Sequence, residues 1–153
     1  MDRYAVFVDA GYLLAEGGSV SLGTKERRQI RCNFPGLISA LETLVQEHCR
    51  LPGLRTYWYD GAKDRIATPE HQTIANLPRV KIRLGRLTAH GQKGVDALIY
   101  HDIMTLARER AIAVAYLVAG DEDLREGVAV AQQMVSWSIS LASGPASRTS
   151  PSC

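Results

Sequence analysis

Short apolar segments alternate along this chain with segments whose apolar residues recur at helical spacing. The predicted strands cover residues 4–8, 54–59, 80–84, 114–119 and 137–141. The predicted helices run from residue 34 to a stop at Pro52-Gly53, and over residues 69–77, 95–110 and 124–135. Two parallel strands need a long crossover, usually a helix, between them. This order therefore predicts an α/β fold with a mostly parallel sheet and helices on both faces.

Aspartates stand where these predicted strands end or where a helix begins. Asp9 follows the first strand, and Asp96 opens the third helix. Asp121 and Asp123 follow the fourth strand. In an open α/β sheet the carboxyl ends of the strands line the ligand crevice, where neighbouring carboxylates repel one another unless a hard cation binds between them. The four aspartates therefore predict a Mg²⁺ or Mn²⁺ site and phosphate chemistry.

Taken singly, these acids also have structural explanations, because aspartate often caps a helix and strands often end in a polar residue. The hypothesis of a metal site therefore depends on all four reaching one crevice. Asp60 is interpreted as a turn residue with Gly61, and Asp102 lies around its helix from Asp96. His71 lacks a base partner and is interpreted as a surface or core histidine. None of the three is assigned to the site.

Basic residues are concentrated in an interval without acids. The net charge is only +2, but the chain between Glu70 and Asp96 holds no acid and five cations: Arg79, Lys81, Arg83, Arg86 and Lys93. Such a run favours contact with a phosphate backbone, although a solvated strand face has the same composition. The aromatic run at residues 57–59 lies in a predicted strand, which favours core packing over base stacking.

The remaining features predict one domain in the cytoplasm. None of the apolar segments reaches the roughly 20 residues that span a membrane, and no signal peptide is expected from the N-terminal residues, because Asp2 and Asp9 bracket the first short apolar run. Three cysteines cannot form a full disulfide framework, which indicates reduced thiols. Residues 1–142 are predicted to form the domain, and the Ser/Pro-rich residues 143–153 to form a disordered tail.

Four segments of the chain resemble a known family in its order along the sequence. They are residues 6–13, 57–61, 92–96 and 117–124. The most specific are K-G-x-D at Lys93-Gly94-Val95-Asp96 and G-D-x-D at Gly120-Asp121-Glu122-Asp123. The sequence is similar to NYN-domain proteins, a branch of the PIN-like nucleases, and among them to the LabA-like bacterial group.

The resemblance implies a PIN-like, three-layer α/β/α sandwich and a metal-dependent ribonuclease that hydrolyses phosphodiester bonds of RNA. The family's acidic residues correspond to Asp9, Asp96, Asp121 and Asp123 in this chain. These would be the catalytic residues and would hold one or two Mg²⁺ or Mn²⁺ ions. Such ions polarise the phosphate, lower the pKa of a bound water and stabilise the leaving oxygen.

The resemblance also implies a nucleic-acid surface beside these acids. Its expected residues are Lys93, Arg86, Arg83 and Tyr12, and its expected partner is RNA, most simply single-stranded. PIN-like domains often pair, so a homodimer is expected, without a nucleotide cofactor or a membrane partner. Many relatives have Asn where this chain has Tyr12 and Ser where it has Ala119, which leaves room for a weak or specialised enzyme.

Other folds that gather acids at strand ends fit less well. A receiver domain needs a pair of acids after its first strand, and a haloacid-dehalogenase-type phosphatase needs an acid where this chain has Gly11. A dinucleotide fold needs G-x-G-x-x-G there. The strongest alternative is a catalytically weak or inactive NYN domain that acts as an RNA-binding or protein-interaction module. The complete acid set favours the enzyme.

Overall fold

The computed structural model describes residues 2–15, 23, 32–119 and 138–141. The strands are β1 Tyr4–Asp9, β2 Gly53–Ala62, β3 Val80–Thr88, β4 Gly91–Lys93, β5 Val114–Val118 and β6 Ser138–Leu141. The helices are α1, which denotes the helical residues 10–15, α2 Phe34–His48, α3 Pro69–Ala75 and α4 Val95–Arg108. A short 3₁₀ turn, Lys63–Arg65, follows β2.

The described strands form one sheet of six in the order β4-β3-β2-β1-β5-β6. All neighbouring strands pair in parallel except β3 and β4, which form an antiparallel hairpin. The predicted mostly parallel sheet is confirmed. Because β1 pairs with both β2 and β5, its carboxyl end lies in the middle of the sheet, with Asp9 in register with Tyr59.

The core is divided between the two faces of the sheet, since alternate residues of a strand point to opposite sides. One face packs against α4 and buries Ala5, Phe7, Tyr57, Tyr59, Ile99 and Ile103. The other face packs against α1, α2 and α3 and buries Val6, Val8, Trp58, Phe34, Ile38 and Ile74. Helices on both faces confirm the three-layer sandwich, and the burial of residues 57–59 confirms their role in the core.

Local sequence explains where two helices begin. The Asn33 side chain accepts a hydrogen bond of 3.1 Å from the Gly36 N–H, and a proline stands in the first turn of α2. Helix α4 follows Gly94, whose φ of 83° is in the left-handed region that favours glycine. Gly94 therefore lets the chain turn from β4 directly into α4.

Two sequence predictions are wrong at the ends of the central strands. Asp60 and Gly61 were expected to form a turn but continue β2, because Asp60 pairs with Leu84 and Ala62 with Arg86 on β3. Strand β3 also runs on to Thr88, and β4, which the sequence did not predict, folds back along it. The predicted helix 124–135 and the tail 143–153 lie outside the described residues.

In the part of the chain that the structure describes, no helix has both the length and the apolar composition that crossing a membrane requires. The predicted boundary of the domain at residue 142 stays a prediction.

Replacing Ile99 by alanine should destabilise the fold by about 3 kcal/mol, because this fully buried side chain fills the layer between α4 and the sheet. Urea unfolding measures the change. His101→Ala on the exposed side of the same helix is the control and should change the free energy of unfolding by no more than about 0.5 kcal/mol. Equal effects of the two substitutions would contradict this packing.

Candidate active site

Asp9 is a buried carboxylate at the carboxyl end of the central strand, with 6% of its surface exposed. Its Oδ1 accepts hydrogen bonds from the Tyr12 N–H at 3.2 Å and from Gln92 Nε2 at 2.9 Å. Burial raises the pKa of Asp9, and the charge of Asp60 adds to this, while the hydrogen bonds from Gln92 and Tyr12 oppose it. The net shift is upward, so the ionised form is incompletely compensated by its neighbours.

Asp60 is a second buried acid, on the neighbouring strand β2. Its Oδ1 accepts a hydrogen bond of 2.9 Å from the Gly61 N–H, and its Oδ2 accepts one of 2.9 Å from His71 Nε2. Since its charge raises the pKa of Asp9, the two acids are electrostatically coupled. Sequence reasoning missed Asp60 because Asp-Gly is typical of a turn.

The hydrogen bonds of His71 fix its tautomer. The Thr68 N–H donates to Nδ1 at 3.1 Å, so Nδ1 carries the lone pair and Nε2 carries the hydrogen that bonds to Asp60. In return, Thr68 Oγ1 accepts a bond of 3.2 Å from the His71 N–H, which completes a capping box at the start of α3. The sequence signal for this arrangement is Thr68 three residues before His71. This spacing predicts the helix cap but does not reveal that His71 donates to Asp60.

Gln92 reaches the site from the hairpin β3–β4, and two glycines make room for it. A Cβ added at Gly11 would lie 2.6 Å from Gln92 Oε1, and one at Gly61 would lie 2.8 Å from Gln92 Cβ. The amide nitrogen faces Asp9 because an ionised carboxylate only accepts hydrogen bonds. Sequence reasoning missed Gln92 because it did not predict β4.

The other predicted acids are only partly placed. Asp96 lies in the first turn of α4 and is partly buried, whereas Asp121 and Asp123 lie outside the described residues. Within the described ranges, no three His, Cys, Asp or Glu side chains form a group that could hold a metal. The carboxylate of Asp9 nevertheless fits a hard divalent cation, since it supplies oxygen ligands and a cation would offset the charge of Asp60 beside it.

The predicted nucleic-acid residues differ in their surroundings. Arg83 forms two bonds to Asp102 on α4, Nε to Oδ2 at 3.1 Å and Nη2 to Oδ1 at 3.3 Å, and Asp102 also accepts the Tyr59 hydroxyl at 2.8 Å. Arg83 therefore ties β3 to α4. Arg86 and Lys93 are exposed, face each other across the hairpin and form no ion pair with any described residue. Their like charges suit an anionic partner.

A family model of the NYN domain matches residues 3–152, which is nearly the whole chain. The chain belongs to the NYN-domain family. The NYN domain is a PIN-like nuclease domain, so membership indicates a nuclease-type, RNA-related function in broad terms. Assignment to the LabA-like group stays a prediction.

One curated relative of this NYN domain is the uncharacterized protein y4oD of Sinorhizobium fredii (strain NBRC 101917 / NGR234). The two are 48% identical over 64 residues, a stretch that covers 41% of this chain and 30% of the relative. The match thus spans less than a third of the relative's length. No solved structure matches the chain significantly.

Replacing His71 by leucine should destabilise this NYN domain by about 3 kcal/mol, because the buried Asp60 Oδ2 would lose the hydrogen bond from His71 Nε2. Urea unfolding of the single variants and of Asp60→Leu/His71→Leu measures the coupling. The double variant should lose less stability than the sum of the two single variants. Additive losses would show that the two side chains do not stabilise each other.

Proposed function

We propose that this NYN domain is a metal-dependent ribonuclease that hydrolyses phosphodiester bonds of RNA. Its metal would be Mg²⁺ or Mn²⁺, held by Asp9, Asp96, Asp121 and Asp123, which are also the proposed catalytic residues. The observation that carries the proposal is the carboxylate of Asp9, which is buried at the end of the central strand. Burial and the charge of a second buried acid, Asp60, raise the pKa of Asp9, and acids perturbed in this way are typical of functional sites.

The donor chemistry supports an ion of this kind. Carboxylate oxygens are hard ligands, which suit Mg²⁺ and Mn²⁺ better than softer metals. A bound ion would polarise a phosphate and lower the pKa of a coordinated water. The protein's own contribution is to hold Asp9 in place through its bonds to Tyr12 and Gln92 and to keep water away from it by burial.

The hairpin β3–β4 supports RNA as the substrate. Arg86 and Lys93 lie opposite each other on this hairpin. Gln92, the residue before Lys93, bonds to Asp9, so both cations belong to the pair of strands that reaches the site. Exposed cations in such a position can hold the phosphates of a single strand. Arg83 would contribute its field rather than a free guanidinium, and Tyr12 lies in α1 beside Asp9. We further propose a cytoplasmic location and a homodimer.

Asp9→Asn should raise the melting temperature in EDTA and abolish cleavage. The raised pKa means that ionisation of Asp9 opposes folding at neutral pH, so removing the charge should stabilise the metal-free protein by about 1 kcal/mol, or about 3 °C. Added Mn²⁺ should raise the melting temperature of the parent and leave that of the variant nearly unchanged. Differential scanning fluorimetry and cleavage of a labelled single-stranded RNA measure both effects.

The matched control for this experiment is Asp64→Asn, the same change at an exposed acid just after β2. It should retain cleavage and the Mn²⁺ response. If the parent is folded, binds RNA and yet cuts none with either metal, the chain is an inactive NYN domain that acts as a binding module.

Arg86→Ala and Lys93→Ala should each weaken binding of single-stranded RNA in EDTA. Each should also lower the slope of log K against log salt concentration by about 0.7, the contribution of one phosphate contact to a single strand. Fluorescence anisotropy at several salt concentrations measures both quantities. Lys81→Ala, which removes an exposed cation nearer the amino end of β3, is the control and should leave the slope unchanged. The same slope change in all three variants would contradict a specific surface on the hairpin.

A further inference from the structure

Gln92 connects an exposed hairpin to a buried carboxylate. Its neighbours Gly91 and Lys93 are exposed, as alternation along β4 requires, while Gln92 points inward and is partly buried. Its amide crosses the ends of the sheet to Asp9, a residue 83 positions earlier in the chain. The bond of 2.9 Å is therefore a tertiary restraint on Asp9 rather than part of a local turn.

Two of the donors to Asp9 reach the same oxygen from two different elements. The Tyr12 N–H belongs to α1 and Gln92 Nε2 to β4, and both donate to Oδ1, so Oδ2 takes part in neither bond. A backbone donor from the same turn fixes the position of the carboxylate, whereas a second donor from another strand also fixes its rotation. Two bonds to one oxygen thus hold the carboxylate in one orientation.

The space that Gln92 occupies is available because two residues have no side chain. At Gly11 an added methyl group would collide with the amide end of Gln92, and at Gly61 it would collide with the Gln92 Cβ. Gly11 lies in α1 and its φ is outside the left-handed region, so the helix itself does not require a glycine there. The contact with Gln92 supplies a reason for the glycine that backbone conformation does not.

We infer that Gln92 is a positioning residue for Asp9 that orients this carboxylate for metal binding and ties it to the hairpin that carries Arg86 and Lys93. The inference rests on the proposed function, because the role of Gln92 is to orient a ligand of the proposed metal site. Hydrogen-bond partners of metal-binding carboxylates typically account for about tenfold to hundredfold in metal affinity or activity. Gln92 acts through Asp9 and need not touch the substrate.

Two substitutions remove this bond in different ways. Gln92→Met keeps a side chain of similar length between the two glycines but has no donor. Gly11→Ala leaves Gln92 unchanged and displaces its flexible amide end, while alanine favours the helix. Each should weaken Mn²⁺ binding to the full chain about tenfold, measured as free Mn²⁺ by electron paramagnetic resonance. Gly11→Ala should do so without lowering the melting temperature.

The double variant Gln92→Met/Gly11→Ala separates a positioning role from general damage. Since either change alone already removes the bond, the double variant should bind Mn²⁺ no more weakly than the weaker single variant. Cleavage of single-stranded RNA should show a lower kcat, whereas RNA affinity in EDTA should stay within about twofold of the parent. Lys93→Ala should show the reverse, weaker RNA affinity with unchanged Mn²⁺ binding.

Failure of this inference differs from failure of the proposed function. If Asp9→Asn loses Mn²⁺ binding while Gln92→Met and Gly11→Ala retain the affinity of the parent, Gln92 does not position Asp9, and the ribonuclease proposal stands. If the parent binds no Mn²⁺ in the millimolar range, or if Asp9→Asn binds it as well as the parent, both proposals are overturned. Additive losses in the double variant would show that the substitutions act by separate structural effects.

Discussion

The parallel pairing of β1 with a neighbour on each side is the constraint on which the rest of the molecule depends. Because β1 lies between two other strands, its carboxyl end is surrounded by protein, and Asp9 is buried there. A carboxylate in that position needs donors or a cation, because burial alone opposes its ionisation. This position brings Asp9 within reach of the two donors to its Oδ1 and close to the charge of Asp60.

Both buried acids receive their side-chain donors from elements outside the central pair of strands. The cap of α3 positions His71, which donates to Asp60. The hairpin positions Gln92, which donates to Asp9. These donors offset burial without adding a full positive charge near the site, since the His71 tautomer is neutral and an amide carries none. Neither of these two donors therefore neutralises the carboxylate it bonds to, which suits the divalent cation of the proposed function.

The order of short apolar runs and helical periods predicted the architecture. Strand β1 is buried on both faces, with Val6 and Val8 toward one helical layer and Phe7 toward the other, and a strand of this kind is a continuous apolar run in the sequence. The same patterns could not predict the site fully. Asp60-Gly61 has turn composition, and only pairing with β3 keeps it extended, while β4 spans three residues and carries no periodic signal. Asp60 and Gln92 were missed because long-range pairing, and not local sequence, places them.

The acid-free run between Glu70 and Asp96 also shows that composition alone does not predict which charged residues are paired. In the sequence Arg83, Arg86 and Lys93 belong to one acid-free run, yet the fold gives Arg83 an acid from α4, a partner beyond the end of the run. A charge count over a segment cannot detect an ion pair between two different elements, such as the pair of Arg83 on β3 with Asp102 on α4. Arg86 and Lys93 form a cross-strand pair without an ion-pair partner among the described residues, on the strands that also deliver Gln92 to Asp9. Under the proposed function, one short strand would therefore serve both roles, because its outward residue Lys93 meets solvent and its inward residue Gln92 bonds to Asp9.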